Sequence, residues 1–247
     1  MIYVIGDTQV KPGVRNPLRC IAHHICAVKP KHVIHLGDHW DMPSLSAWDK
    51  GKRRHSVTAS YLKDMDSGNF AMQEFWSIIK HKWPEYYDEC TWVILQGNHE
   101  ERRARALDRC DWEYVDLIKS IDFDYSNWDM VVPFLEVAKI HGIEFSHYFQ
   151  NTGSSRPIGS ARNLLNKRHV TCIAGHQQGF DYAEMLQGKD KTIQAIIMGS
   201  SYFHLEGYLN HNNHHFRGTL VLSNLKGNDG FDFARFSMSM LGEWYGV

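Results

Sequence analysis

The chain has 247 residues, of which 16 are histidine, 27 are lysine or arginine and 28 are aspartate or glutamate, so its formal net charge is −1. Hydrophobic residues make up 43% and charged residues 22%, values typical of a globular protein, which exclude an intrinsically disordered chain. A net charge near zero gives no overall attraction to nucleic acid, so any such binding must come from a local patch. Because histidine binds metals and transfers protons, its abundance raises the question of a metal site.

The cysteines and the apolar segments indicate a compartment. The five cysteines are widely spaced and form no CxxC pair, which favours reduced thiols over a disulfide framework. Residues 1–7 show neither a basic segment nor a long apolar stretch, so we expect no secretory signal. No segment approaches the roughly 18 apolar residues that a membrane span needs. The sequence therefore predicts a cytoplasmic protein without a membrane partner, and it indicates no oligomeric state.

The first half of the chain alternates between predicted strands and helices. Short apolar segments predict strands at 2–5, 33–36 and 91–95, each followed by a turn that contains glycine. Apolar residues at helical spacing predict a helix that begins at Leu18 and is stopped by Pro30. They predict a second helix over 62–79, which Gly68 is expected to divide in two. This alternation is typical of an α/β fold with βαβ units.

The second half is richer in strands. Segments 135–140 and 143–145 predict a hairpin, and further strands are predicted at 170–174, 192–198, 219–222 and 231–238. Leu164 and Leu165 are assigned to a helix entered near Ser154 and Ser155. Since no repeat, low-complexity tract or linker interrupts the chain, residues 1–247 are predicted to form a single domain.

Five polar residues share one position, the carboxyl end of a predicted strand. They are Asp7, Asp38, Asn98, His147 and His176. In open α/β sheets, ligands bind just beyond the carboxyl ends of the strands. Taken alone, each residue is as consistent with a helix cap or a turn as with a ligand-binding role. That five such residues all follow strands favours the ligand-binding role. Two carboxylates, an amide and two imidazoles form a mixed oxygen and nitrogen donor set that suits Mn, Fe or Zn.

The motifs around these residues resemble those of the calcineurin-like metallophosphoesterases, whose pattern is Asp-x-His, Gly-Asp-x-x-Asp, Gly-Asn-His-Asp/Glu, a lone His after a strand, and Gly-His-x-His. The corresponding segments, in the same order, are Gly6-Asp7-Thr8-Gln9, Gly37-Asp38-His39-Trp40-Asp41, Gly97-Asn98-His99-Glu100, His147 and Gly175-His176-Gln177-Gln178. The resemblance implies a four-layer αββα sandwich, in which two mixed β-sheets are flanked by helices.

The resemblance also implies a metal-ligand set. By matching position, Asp38 is the bridging carboxylate and Asp7 joins it on the first metal. Asn98, His147 and His176 complete the second metal. Metals in such a site neutralise the phosphate, activate a water molecule and stabilise an in-line displacement.

Two further residues match the family in catalytic roles. His99 corresponds to the histidine that assists the phosphate oxygens or protonates the leaving group, and a pKa near 6.5 suits that role at neutral pH. Asp41 is interpreted as a residue that orients His99 or closes the loop.

The chain departs from the family at two first-metal positions, where Gln9 and Gln178 replace histidines. An amide oxygen is a harder donor than imidazole, and it suits Mg, Mn or Ca better than Zn. We therefore expect one or two divalent ions, with Mn as the first choice and Mg, Fe, Zn or Ca as alternatives. A first site that is lost altogether remains an equally open interpretation.

Basic residues indicate the substrate class. Arg102 and Arg105 fall on one face of a helix after the Asn-His motif, and two further basic clusters lie at 52–55 and 156–168. Arginine matches phosphate oxygens well. The histidine-rich segment 202–217 is interpreted either as a loop over the site or as polar surface.

The sequence accordingly predicts a metallophosphoesterase that acts on phosphodiester bonds of nucleic acid or nucleotides. Met42-Pro43 stands where protein phosphatases carry Arg-Gly, which disfavours a phosphoprotein substrate. A phosphomonoesterase, a nucleotide pyrophosphatase and a non-catalytic scaffold with a decayed first site remain as alternatives.

Overall fold

Two mixed β-sheets with helices form the frame of the fold, in a computed structural model that describes residues 1–46, 57–109, 112–206, 214–226 and 230–247. The described strands are β1 (Ile2–Ile5), β2 (His32–His35), β3 (Thr91–Leu95), β4 (Met130–Val132), β5 (Ala138–Ile140), β6 (Ile143–Ser146), β7 (Cys172–Ala174), β8 (Asp181–Gln187), β9 (Lys191–Ile197), β10 (Gly218–Ser223) and β11 (Asp232–Ser237). The described α-helices are α1 (Leu18–Val28), α2 (Val57–Lys82), α3 (Pro84–Glu89), α4 (Glu101–Arg109), α5 (Trp112–Lys119), α6 (Ala161–Arg168) and α7 (Met238–Tyr245).

The first sheet has the strand order β11-β10-β1-β2-β3-β4. β1 to β4 run parallel, with Val4 opposite Ile34 and Ile34 opposite Val93, whereas β10 and β11 are antiparallel. β1 to β3 are almost wholly buried, as expected for parallel strands that are covered on both faces. The parallel arrangement brings the carboxyl ends of these strands to one edge of the sheet.

The second sheet has the order β5-β6-β7-β9-β8. β5 and β6 form the predicted antiparallel hairpin, while β6, β7 and β9 run parallel and β8 is antiparallel to β9. β6 and β7 therefore also end side by side.

Three apolar clusters show how the layers are stacked. One lies between the sheets and joins Val4 and Ile34 of the first to Phe145 and Ile173 of the second. A second cluster packs the other face of the first sheet against helices that include α1, α2 and α7. A third packs α6 against the outer face of the second sheet. This arrangement is compatible with the predicted sandwich of two sheets flanked by helices.

The prediction that Gly68 divides the second helix is wrong, because α2 runs without interruption from Val57 to Lys82. Gly68 serves close packing: a Cβ atom there would lie 2.0 Å from Cδ1 of Trp40. Its carbonyl oxygen lies 3.0 Å from Nε2 of His39. Gly68 thus lets the loop after β2 approach the helix.

Other predicted boundaries also shift. The helix assigned to Leu164 and Leu165 is not entered near Ser154 and Ser155; it begins at Ala161, because the Ser160 side chain accepts a hydrogen bond from the backbone N–H of Asn163.

The predicted strand 231–238 ends one residue early, since Ser237 caps α7 in the same way through Met240. α7, α3, α5, β4 and β8 were not predicted. None of the helices in the described residues is long and apolar enough to cross a membrane.

Candidate metal centre

The five polar residues at the predicted strand ends come together from both sheets. Asp7, Asp38 and Asn98 follow β1, β2 and β3 of the first sheet, and His147 and His176 follow β6 and β7 of the second. The candidate centre therefore lies where the carboxyl edges of the two sheets meet.

Asp38, His147 and His176 lie close together, with one ligand atom from each within 4.8 Å of the others. Nε2 of His147 lies 3.4 Å from Oδ2 of Asp38 and 3.0 Å from Oδ1 of Asn98. Asp38 is the predicted bridging carboxylate. Asn98, His147 and His176 are the predicted remaining ligands of the second metal, and we call these three residues the second-metal side. The group could hold a metal ion.

The tautomer of His147 supports this arrangement. Its Nδ1 lies 2.8 Å from the carbonyl oxygen of Leu36, which can only accept a hydrogen bond. Nδ1 therefore carries the hydrogen, and Nε2 faces the oxygens of Asp38 and Asn98. A backbone carbonyl that holds the other ring nitrogen is a common support for a histidine that binds metal.

The charged groups of this centre shift one another's pKa values. Burial alone would lower the pKa of His147, but the carboxylates of Asp38 and Asp7 raise it to about 9. Burial alone would raise the pKa of Asp38, but His147 and His99 hold it below its ordinary value. Burial and the nearby His147 lower the pKa of His176 to about 4, which leaves its imidazole neutral at pH 7 and able to bind a metal.

The backbone at the centre is held in conformations that few residues adopt. Asp38 and His176 have φ angles of 53° and 67°, in the left-handed region. Such strain is typical of functional sites. A Cβ atom at Gly97 would lie 2.1 Å from Oδ1 of Asp38, so only glycine permits this approach of the two loops.

Glu100 joins the loop after β2 to the loop after β3. Its buried carboxylate accepts the backbone N–H groups of Asp38, His39 and Trp40 at 2.9, 2.7 and 3.2 Å, and that of Gly97 at 2.7 Å. The sequence shows Glu100 only as the last residue of a motif, whereas in the structure its carboxylate holds the backbone at Asp38 in place.

The first-metal side, which we define as Asp7, Gln9 and Gln178, is built differently. Oδ1 of Asp7 accepts the backbone N–H of His176 at 3.1 Å. Burial, and then the charge of Asp38, raise the pKa of Asp7 to about 7. Gln9 is buried with a φ of 40°, and Oε1 of Gln178 accepts a hydrogen bond from the hydroxyl of Tyr202. One of the two glutamines is therefore engaged by a neighbour.

Within the described part of the chain, Oδ2 of Asp7 is buried without a hydrogen-bond partner. A buried carboxylate oxygen left unpaired is costly unless a proton or a cation satisfies it. The donor set thus fits a divalent cation on an observation that is independent of the motif resemblance.

His99 lies beside this group and is paired with Asp41. Its Nδ1 is 2.9 Å from Oδ1 of Asp41, and its Nε2 is 3.7 Å from Oδ2 of Asp38. Burial alone would lower the pKa of His99, but the two carboxylates raise it above its ordinary value.

Lys11 is a polar residue of the centre that sequence reasoning missed. Its ammonium group lies 2.8 Å from Oδ2 of Asp41 and 2.9 Å from Oε1 of Glu206, which in turn contacts His204 at 2.5 Å. Lys11 and Asp41 lie far from Glu206 in sequence, and no local pattern joins them. His204 is the described member of the predicted histidine-rich segment that reaches this network; residues 207–213 lie outside the described residues.

The two arginines predicted to bind substrate lie in different surroundings. Nη1 of Arg102 donates to the carbonyl oxygen of Asp41 at 2.6 Å, while Nη2 lies 2.8 Å from Nε2 of His99. Arg105 is exposed, with Nε 3.8 Å from Glu101. In the cluster at 156–168, Arg168 pairs with Glu144 at the surface. The cluster at 52–55 lies outside the described residues.

Other buried histidines serve the structure. Hydrogen bonds link Thr8 to His35 at 3.0 Å and to His39 at 2.7 Å, and His24 lies 2.8 Å from the hydroxyl of Tyr3. Burial lowers the pKa of all three histidines, to about 4 for His24 and His39. These neutral imidazoles form hydrogen bonds with buried hydroxyl groups. They account for part of the high histidine content of the chain.

Two phage proteins are similar to the chain. The Gene 54 protein of Mycobacterium phage L5 is 26% identical over 181 residues, which cover 71% of this chain and 68% of that protein. The Gene 54 protein of Mycobacterium phage D29 is 28% identical over the same length and the same shares. Neither name states an activity. No family model matches the chain.

Proposed function

We propose that the chain is a calcineurin-like metallophosphoesterase that hydrolyses phosphodiester bonds, with nucleic acid or a nucleotide as its substrate. The observation that carries the proposal is the convergence of Asp38, His147 and His176 from two sheets, beside the His99–Asp41 pair. The stacking of two sheets between helices is compatible with the four-layer αββα sandwich of that family.

The residues that would hold the metal are Asp7, Asp38 and the second-metal side. When bound, a divalent ion neutralises the phosphate and activates water for in-line attack. Mn is the first choice, because the donors mix oxygen and nitrogen and because amides replace imidazoles on the first-metal side.

His99 supplies the proton that the leaving-group oxygen takes up. Asp41 orients its ring through Nδ1, and the raised pKa keeps the imidazole protonated in a larger fraction of molecules at neutral pH. A protonated Nε2 cannot accept from Arg102, so the freed Nη2 of Arg102 binds a phosphate oxygen.

The test is Mn-dependent hydrolysis of bis-p-nitrophenyl phosphate, compared with p-nitrophenyl phosphate. We expect turnover of the diester, and we expect His99→Ala to lower kcat by about 10²- to 10⁴-fold, as is usual for loss of a general acid. The bound Mn, measured by elemental analysis, should not change. His81→Ala, which removes an exposed histidine at the end of α2, is the matched control and should retain full activity.

The other outcomes separate the alternatives. Turnover of the monoester alone would identify a phosphomonoesterase. No turnover of either ester with Mn, Mg, Fe, Zn or Ca would favour the non-catalytic scaffold, the candidate that the two glutamines support.

A further inference from the structure

Two aromatic rings lie beside the second-metal side. Phe134 follows β4 of the first sheet, and Tyr148 follows β6 of the second. The Tyr148 ring lies 4.7 Å from that of His176 and 5.8 Å from that of His147, measured between centroids. The Phe134 ring lies 5.5 Å from that of Tyr148. We name Phe134 and Tyr148 the aromatic shelf.

Both residues of the shelf are partly exposed, although the metal-ligand group next to them is largely buried. Phe134 meets Tyr148 at an interplanar angle of 79°, edge to face. Core aromatics need no access to solvent, whereas a ring that contacts a ligand does. The shelf therefore forms part of the rim of the centre.

An arginine also lies close in the chain to one of the candidate ligands. Arg105 is exposed on α4, the helix that begins three residues after Asn98. Its only described ion pair is the long one to Glu101 at 3.8 Å, which leaves it able to exchange that contact for a phosphate. The candidate metal ligands thus adjoin a partly exposed aromatic pair, and the helix after Asn98 carries an exposed arginine.

We propose that the aromatic shelf stacks the base of an unpaired nucleotide whose phosphodiester occupies the metal centre. Every base has a π face, and stacking on an aromatic side chain supplies affinity without sequence preference. Arg105 binds the next phosphate along the strand. In a duplex, neighbouring base pairs cover the faces of each base, so the inference selects single-stranded substrate. It rests on the proposed function.

The experiment compares a short oligothymidylate with an abasic oligonucleotide of equal length and equal phosphate number. Each oligonucleotide is fluorescently labelled, and its anisotropy is followed as Mn-loaded protein is added. The protein carries His99→Ala, so that neither oligonucleotide is cleaved. We expect oligothymidylate to bind roughly 5- to 100-fold more tightly, the range that stacking of one base supports.

Substitutions of Tyr148 in that same protein locate the effect. Tyr148→Ala should lower oligothymidylate affinity to the abasic level and leave abasic affinity and Mn content unchanged. Tyr148→Phe keeps the ring and should retain the preference. Trp244→Ala, at an exposed aromatic residue of α7, is the matched control and should change neither affinity.

The inference would be overturned if the His99→Ala protein with an unchanged aromatic shelf bound the two oligonucleotides with equal affinity. An equal loss for both in Tyr148→Ala would also overturn it, because the ring would then only position His176. Hydrolysis of bis-p-nitrophenyl phosphate by the wild type is measured in parallel. Diester turnover without a base preference contradicts the shelf alone, whereas a base preference without turnover of any ester contradicts the proposed function alone.

Discussion

The two sides of the candidate metal centre offer different donor groups. The second-metal side offers two imidazoles and an amide, and its His147 is held by a backbone carbonyl so that Nε2 faces Asp38. The first-metal side offers one carboxylate and two amides, and Gln178 already accepts a hydrogen bond from Tyr202. An oxygen that already accepts a hydrogen bond within the fold, as that of Gln178 does, is less available to a metal ion than one that faces the centre unengaged.

The largest expected effect comes from removing a donor on the second-metal side. His147→Ala should weaken Mn binding by more than about 100-fold, because even loss of a partner behind a ligand costs about 10- to 100-fold. Gln178→Ala should weaken it far less. Isothermal titration calorimetry with Mn measures both, and equal losses in the two variants would contradict the asymmetry.

A second experiment restores imidazole to the first-metal side. Gln178→His, alone and combined with Gln9→His, should tighten the weaker Mn site by about tenfold or more, which corresponds to only about 1.4 kcal/mol. Elemental analysis after dialysis should then find a higher Mn content than in the wild type. An unchanged content would mean that the geometry of this side, and not its donors, limits binding.

A third expected effect is a pH dependence of metal binding. The metal-free protein holds a proton on His147, whose pKa rises from 6.5 to about 9, and one on Asp7, whose pKa rises from 3.8 to about 7. A group whose pKa is raised in the folded state stabilises that state fully at pH values below its pKa in the unfolded chain. This stabilisation is lost as the pH rises through its pKa in the folded state.

Metal binding must displace these protons, so Mn affinity should rise from neutral pH towards pH 9. Above about pH 7 Asp7 has already lost its proton, so metal binding releases only the proton of His147. The number of protons released therefore distinguishes the first-metal side from the second-metal side. Calorimetry in two buffers of different ionisation enthalpy counts the protons. Binding without proton release at neutral pH would show that the metal avoids His147.

The smallest expected effect concerns the bond that engages Gln178. Tyr202→Phe removes the buried donor and should lower the free energy of unfolding by about 1 kcal/mol, as for a typical hydrogen bond. It should leave the tightest Mn affinity unchanged, because that site lies on the second-metal side. Urea denaturation with and without Mn tests both statements, and a large loss of the tightest Mn affinity would show that the two sides are one unit.

The placement of the site residues could be predicted because it depends on local pattern. A short apolar run followed by glycine and a polar residue marks the end of a buried strand, and parallel strands end together. Asp38, His147 and His176 all follow this pattern, so their place at the strand ends can be predicted from the sequence. The hairpin and α1 can be predicted for the same reason, because each depends on a pattern within one short segment.

The roles that could not be predicted depend on contacts between distant segments. Gly68 has the local signature of a helix break, and only the indole of Trp40 packed against it explains why the helix continues. Lys11 meets Glu206 across 195 residues, and Tyr202 occupies Gln178 across 24. No periodicity encodes such pairs, because each requires two elements to be docked first.

The donor atoms of the candidate centre and their positions at strand ends follow from the amino-acid sequence alone. Which of those donors face each other, and which are engaged elsewhere, depends on how the two sheets pack. The reason is physical: donor chemistry and strand pattern are properties of single residues and short segments, whereas burial, charge coupling and competition for hydrogen bonds arise only where the two sheets meet.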